Sequence, residues 1–326
     1  MTIDAVLDTF AGKPVRDFRH GDRASADDVV YRLVQRFNDR QSQADLLAEF
    51  LVQVPPATLS ALVLGPWTYV QPAPPRGLLG SLFGRVADSW STAQPKPPLG
   101  YLQALIARRD ELTALRALFV GDITVEDCEM SWIVQTDYGP LLAAFPALET
   151  LRVRGAEKLV LPPFEHAALQ HLAIETGGLP DTIVAGLAQS RLPALKHLEL
   201  WLGEVEYGFG GSIAPYVDLL ERIAPARLEY LGLRNAPISD EIAEYVAQQP
   251  WLGRLHTLDL SMGTLGDRGA LALAQSPHIA SLKRLDVRHH YIGDAAVARL
   301  RALPLELAID DAETEDDGMR FVAVAE

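Results

Sequence analysis

A six-residue frame, L-x-x-L-x-[LVI], recurs along this chain and restricts its fold more than any other feature. Its copies are LRALFV, LETLRV, LQHLAI, LKHLEL, LEYLGL, LHTLDL and LKRLDV, with last residues Val120, Val153, Ile174, Leu200, Leu233, Leu260 and Val287. The spacings between these anchors are 33, 21, 26, 33, 27 and 27 residues. An earlier copy, LSALVL, ends at Leu64, and LELAID at Leu305 to Asp310 reads as a terminal strand. Apolar residues alternate within the frame, which predicts a short strand with its leucines on one face. Five positions past the anchor comes a further apolar residue, Val125, Leu179, Val205, Ile238, Leu265 or Ile292, expected to continue the inward stack. Helical patterns follow, as in Ile238, Ile242, Tyr245 and Val246. A lone strand-turn-helix unit cannot bury its apolar face, whereas stacked units form a continuous core. The expected fold class is therefore an α/β solenoid, a curved parallel sheet on the concave side and helices on the convex side.

Composition agrees with a large core and narrows the partners. The chain has 326 residues, 48% of them apolar, and a net charge of −14. That charge argues against general affinity for nucleic acid or anionic membrane. Cys128 is the single cysteine, which excludes an internal disulfide framework and fits a reducing compartment. The opening MTIDAVLDTFAGKPV carries Asp4 and Asp8 and no basic, then apolar, run, so no signal peptide is expected. No apolar run is long enough to span a bilayer. A cytoplasmic protein without membrane insertion is the expectation.

Residues 1–58 do not fit the frame; KPVRDF and VVYRLV suggest strands and ADLLAEFLVQV a helix, together an N-terminal cap. Residues 59–310 hold the repeats, interrupted at 71–98 by QPAPPRGLLGSLFGRVADSWSTAQPKPP, whose proline-rich ends bracket a candidate amphipathic helix. Residues 311–326 are expected to form an acidic loop and a closing strand, RFVAVAE.

The frame resembles the leucine-rich-repeat superfamily of the ribonuclease-inhibitor-like type. More closely, GDITVEDCEMSW, LELWLG, SDEIAEYV, LDLSMGTLGD, RHHYIGD and RFVAVAE are similar to a bacterial cytoplasmic family of such proteins without an assigned reaction. The resemblance implies the solenoid fold and no substrate or cofactor. One position departs from the superfamily pattern. The third residue after the anchor, usually Asn or Cys, is here Ile123, Ala156, Gly177, Gly203, Ala236, Gly263 or His290. The turn amides must then find other acceptors.

Several conspicuous residues fall where the repeat puts them. His290 occupies the inward ladder position and is expected to bond backbone groups, while His289 lies on the rim, so a shared metal ion is not expected. Asp127, Asp181, Asp240, Asp267 and Asp294 all stand seven residues after their anchors, where helices begin. Helix capping explains that recurrence better than catalysis. Cys128, beside Asp127 and Glu129, reads as a buried, inert thiol. GEVEYGFGGS, Gly203 to Ser212, lacks the lysine of a phosphate loop and reads as a flexible insertion. DDAETEDDG, Asp310 to Gly318, lacks the glutamate that closes an EF-hand loop and reads as a solvated loop with at most weak divalent binding. No HExxH, paired CxxC, GxSxG or Walker motif occurs, so no catalytic, metal or cofactor residue is assigned.

Residues flanking the central leucine of each strand point away from the core, onto the concave sheet. They include Phe119, His171, Glu175 and Ser261, and the candidate partner-binding set Arg152, Arg154, His197, Glu199, Trp201, Tyr230, Arg234, Asp259, Arg284, Asp286 and Arg288. Five arginines face four acids there, so this face escapes the acidity of the chain, and it gathers residue types favoured at binding hot spots. The leading expectation is a non-enzymatic scaffold that binds a protein partner on this face, with Trp201 and Tyr230 as solvent-facing anchors. The alternative is an enzyme or enzyme accessory acting on a small anionic ligand at His197, Glu199 and the arginines. A plain alternative to both is charge pairing across adjacent strands.

Overall fold

Every leucine frame becomes one strand of a single sheet, and the strands lie in sequence order. The computed structural model describes residues 5–19, 21, 25, 27–35, 39, 41–67, 96–223 and 227–324. The excursion expected at 71–98 falls almost wholly outside them. The strands are β1 (Thr9–Phe10), β2 (Lys13–Asp17), β3 (Val30–Leu33), β4 (Ala61–Leu64), β5 (Ala117–Val120), β6 (Thr150–Arg154), β7 (His171–Glu175), β8 (His197–Trp201), β9 (Tyr230–Arg234), β10 (Thr257–Asp259), β11 (Arg284–Asp286) and β12 (Glu306–Ala308). All neighbours pair in parallel except β1 with β2, which form an antiparallel hairpin. The helices are α1 (Gln43–Gln53), α2 (Leu99–Ala107), α3 (Gly139–Ala144), α4 (Asp181–Ala188), α5 (Ala214–Ile223), α6 (Ser239–Ala247), α7 (Asp267–Ala274) and α8 (Asp294–Arg301).

The central leucines are in register. Leu118, Leu151, Leu172, Leu198, Leu231, Leu258 and Leu285 pair from strand to strand, each at most 1% exposed. Each such burial is worth about 1.5–3 kcal/mol relative to exposure. The stack continues past the frame into residues 1–58, because Tyr31 pairs with Leu62 and is equally buried. β2 and β3 are therefore further rungs of the same sheet, and only β1 turns back across its edge. The β1 segment covers the other face there: Phe10 packs with Val30, Ala61, Val63, Ala117 and Phe119.

The turn amides find backbone acceptors. The second residue after the anchor donates to the carbonyl one residue after the next anchor: Gly155 to Glu175 (2.8 Å), Leu202 to Arg234 (2.9 Å), Asn235 to Ser261 (3.0 Å), Met262 to Arg288 (2.8 Å) and His289 to Asp310 (3.2 Å). Gly155, Asn235, Met262 and His289 take positive φ there. This inter-repeat ladder replaces the side-chain ladder that the sequence lacks. His290 behaves as expected: Nδ1 accepts from the Ile292 amide at 3.0 Å and Nε2 meets the Ile309 carbonyl at 3.2 Å.

Five expectations need correction. The aspartates at plus seven do not cap their own helices; Asp181, Asp240, Asp267 and Asp294 lie inside the first turn. Two cap the next repeat instead: Asp240 Oδ1 accepts from Gly266 and Gly269, both at 2.9 Å, and Asp267 Oδ1 from Gly293 at 2.7 Å. Asp127 precedes no α-helix and accepts from Thr124 Oγ1. Val125 and Val205 are 40% and 57% exposed rather than stacked inward. In the second case it is Phe209, four residues on, that joins the core, near the Tyr216 ring. The Gly203 to Ser212 loop is pinned to the preceding repeat through Gly178–Gly203 and Pro180–Phe209 bridges, so it is no free insertion. Cys128 is half-buried, not buried. Finally, residues 319–324 form no closing strand; their backbone groups bond to side chains and loop carbonyls at the strand ends instead of a ladder.

Candidate functional site

From β6 to β11 the non-core side chains fall into rows fixed by the register. One row runs Thr150, His171, His197, Tyr230, Thr257, Arg284; the next runs Arg152, Ala173, Glu199, Gly232, Asp259, Asp286. A third, at the C-terminal strand ends, holds Arg154, Glu175, Trp201 and Arg234. All eleven candidate residues thus lie on one face of one sheet or directly beyond its strands, as the alternation predicted.

Their chemistry is a cross-strand weave of opposite charges. Buried Glu175 takes both arginines of the preceding strand, Arg152 Nε on Oε1 and Arg154 Nε on Oε2, the latter at 2.8 Å. Both guanidiniums lie over the Phe119 ring, 4.7 and 5.6 Å from its centroid. Glu199 accepts from Trp201 Nε1 at 2.7 Å and Arg234 Nη1 at 2.9 Å, with His197 Nε2 at 3.5 Å. Arg234 also reaches Asp259 at 3.5 Å and Ser261 Oγ at 3.0 Å, and Tyr230 donates to Asp259 Oδ2 at 2.8 Å. Asp286 sits between Arg288 at 2.7 Å and Arg284 at 3.3 Å, and Arg284 also meets Glu306.

These contacts fix the protonation states. Burial pushes the Glu199 carboxyl up, but His197, the Arg234 and Arg152 charges and the Trp201 N–H outweigh it and hold it well below the usual carboxylate range. Burial, then the Glu199 and Asp259 charges, drive the Tyr230 phenol far up, so it stays neutral. Partial desolvation and the neighbouring His197 and Lys196 charges lower His171, favouring its neutral imidazole. The geometry makes a rigid electrostatic surface.

Much of this face is covered, which corrects the expected solvent-facing anchors. Trp201 is 1% exposed and packs with Met130, Val324 and Met262. A 3-10 turn at Met130–Trp132 and the segment Met319 to Val324 lie over it. Arg154, Arg234, Asp259 and Asp286 are buried too. Alternation reports which face a residue occupies, not what crosses that face from 70 or 120 positions away. The accessible part is the first row. There His197 and Tyr230 stack at 3.9 Å with 6° between planes, and exposed His171 adds a third ring at 5.4 Å. Half-buried Arg284 stands further along it.

Sequence reasoning missed Asn235. It lies one position before the expected ladder residue and is fully buried, binding both the amide and carbonyl of Val324. The only signal was an Asn between an anchor and a Pro, the kind of residue that tolerates positive φ. Among the described residues, no cluster of His, Cys, Asp and Glu has the arrangement of a metal site, and no helix is long and apolar enough to cross a membrane.

A leucine-rich-repeat family model matches residues 255–274. A crystal structure of a protein from Bacteroides fragilis is similar over 90% of this chain and 77% of its own, at 25% identity and a TM-score of 0.76. An internalin from Listeria monocytogenes aligns over 88% of this chain and 74% of its own, at 15% identity and a TM-score of 0.38, too distant to bear on function. No curated protein matches.

Proposed function

The chain is a leucine-rich-repeat protein, and from that premise we propose that it is a non-enzymatic scaffold that binds a protein partner on its concave face. The observation that carries this reading is the aromatic row His171, His197, Tyr230. Its rings are stacked before any partner arrives, and its members are held from below: Tyr230 by Asp259 and His197 by Glu199. Ordering such side chains on binding normally costs about 0.5–1.5 kcal/mol each, and pre-organisation removes that cost. Aromatic anchors beside an arginine suit a partner segment that is apolar with an acidic flank. Buried Arg154 and Arg234 and half-buried Arg152, already paired with carboxylates, support this surface. A small anionic ligand would have to displace those carboxylates, which disfavours the reading of an enzyme on an anionic substrate. The protein is proposed to act in the cytoplasm.

The test is affinity capture from native lysate with three baits: wild type, His171→Glu with Arg284→Glu, and a convex-face control, Arg222→Glu. The reading expects one specific partner, kept by the control and depleted at least tenfold by the row variant. Equal capture by all three folded baits would remove the concave row from the interface.

A further inference from the structure

The segment Met319 to Val324 lies in the protein as a bound peptide lies in a groove. Three of its four backbone amides from Phe321 to Val324 have a dedicated acceptor, and the fourth, Val322, faces the Glu204 carboxylate. Phe321 donates to Tyr291 Oη at 2.9 Å, Ala323 to the Met262 carbonyl at 2.9 Å and Val324 to Asn235 Oδ1 at 3.0 Å. The carbonyls are met as well: His289 Nε2 and Tyr291 Oη on Phe321 O, and Asn235 Nδ2 on Val324 O at 2.6 Å.

The spacing matches the repeats. Phe321 is held by the repeat of β11, Ala323 by that of β10 and Val324 by that of β9. Two steps between strands cover about 10 Å, and so do three residues of extended chain. The side chains alternate like those of a strand: Val322 and Val324 are 6% and 4% exposed, whereas Phe321 and Ala323 point outward. Arg320 begins the pattern, 3.3 Å from Asp240 Oδ2. What joins this segment to the solenoid is the run Asp310 to Gly318, exposed at every residue, of which Asp310, Asp311 and Glu313 bond to the backbone of His289 and His290 and Thr314 to Gly318 form the tether beyond them. A short segment on an exposed tether opens locally without unfolding the core.

We propose that the C-terminal rim of β9 to β11 is a peptide-binding groove, and that Arg320 to Val324 is an intramolecular occupant that an extended partner segment of the form R-x-V-x-V replaces. Backbone capture by Asn235, Met262 and Tyr291 supplies affinity without regard to sequence. The acids Glu204 and Asp240 and the valine seats select the pattern, as in other modes that read an extended chain. The groove lies at the opposite strand ends from the His171–Tyr230 row, so it stands or falls separately from the concave-face reading.

The probe is a fluorescein-labelled amidated peptide with the sequence Gly318 to Val324, titrated by anisotropy into full-length protein. In wild type the tethered segment competes at high effective concentration, so binding is weak. Val324→Asp or Val322→Asp displaces the resident segment, and circular dichroism reports whether each variant folds. The proposal expects the folded variant to bind the peptide at least tenfold more tightly than wild type, and Asn235→Ala in that background to reverse the gain at least tenfold. Absent binding to a folded variant, equal binding to wild type, or indifference to Asn235→Ala would overturn it. Unfolding of both variants would also overturn it, by making the segment part of the core.

Discussion

Replacing Asp240, Asp267 and Asp294 one at a time by alanine separates capping within a repeat from capping across repeats. The three share one offset from their anchors, so capping within each repeat requires three similar losses. The structure requires unequal ones. Asp240 accepts two amides of the following helix, Gly266 and Gly269, at 2.9 Å each. Asp267 accepts one, from Gly293 at 2.7 Å. Asp294 begins α8, after which the described chain has no further helix to cap. Loss of a capping side chain typically costs about 1 kcal/mol, up to about 2. The expected losses are therefore about 2 kcal/mol for Asp240→Ala, about 1 for Asp267→Ala and under about 0.5 for Asp294→Ala. The Asp240 pairs with Arg268 and Arg320 are partly exposed and add little. Urea unfolding followed by circular dichroism measures the losses from the midpoint and slope. Three equal losses, or a largest loss at Asp294, would refute capping across repeats.

Further substitutions test the packing and the charge weave. Leu258→Asp places an unpaired charge between Leu231 and Leu285 and is expected to cost several kcal/mol in the same assay; an unchanged unfolding curve would contradict the register. Trp201→Ala removes a fully buried ring and is expected to cost about 3–5 kcal/mol, read as a lowered melting temperature; a neutral variant would mean that the ring faces solvent after all. Glu175→Ala strands two arginines and is expected to cost about 3–5 kcal/mol, checked by calorimetry. Burial at His290, and partial desolvation with the His197 and Lys196 charges at His171, hold both below the ordinary histidine range, so their neutral forms favour the fold above about pH 6.5 and that contribution is lost as pH falls. The urea midpoint is expected to drop between pH 7 and pH 5, with a smaller drop in His171→Ala.

The leucine spacing disclosed the solenoid because burial of a period-2 stripe is a local property of sequence. Register, the inward position of His290 and the shared face of His197, Glu199 and Tyr230 all follow from it. The rungs β2 and β3 were legible as strands but not as members of the repeat, since Tyr31 stands where a leucine would complete the frame. What escaped was every feature set by distant contact. Trp201 is covered by Met130 and Val324, Phe119 by Phe10, and the plus-seven aspartates reach helices of the following repeat. Nothing near these residues in sequence carries that information. Asn235 escaped for the same reason, its partner Val324 lying 89 positions away.

Affinity for the partner recovered by capture tests the scaffold reading most directly. The measurement is the ratio of dissociation constants for wild type and for Tyr230→Ala with His171→Glu, taken on protein whose circular dichroism confirms folding. Loss of an anchor pair is worth at least about 2 kcal/mol, which is roughly thirtyfold in the constant. The account predicts a ratio of at least that size, with the Arg222→Glu control unchanged. A ratio near one on folded protein would contradict it.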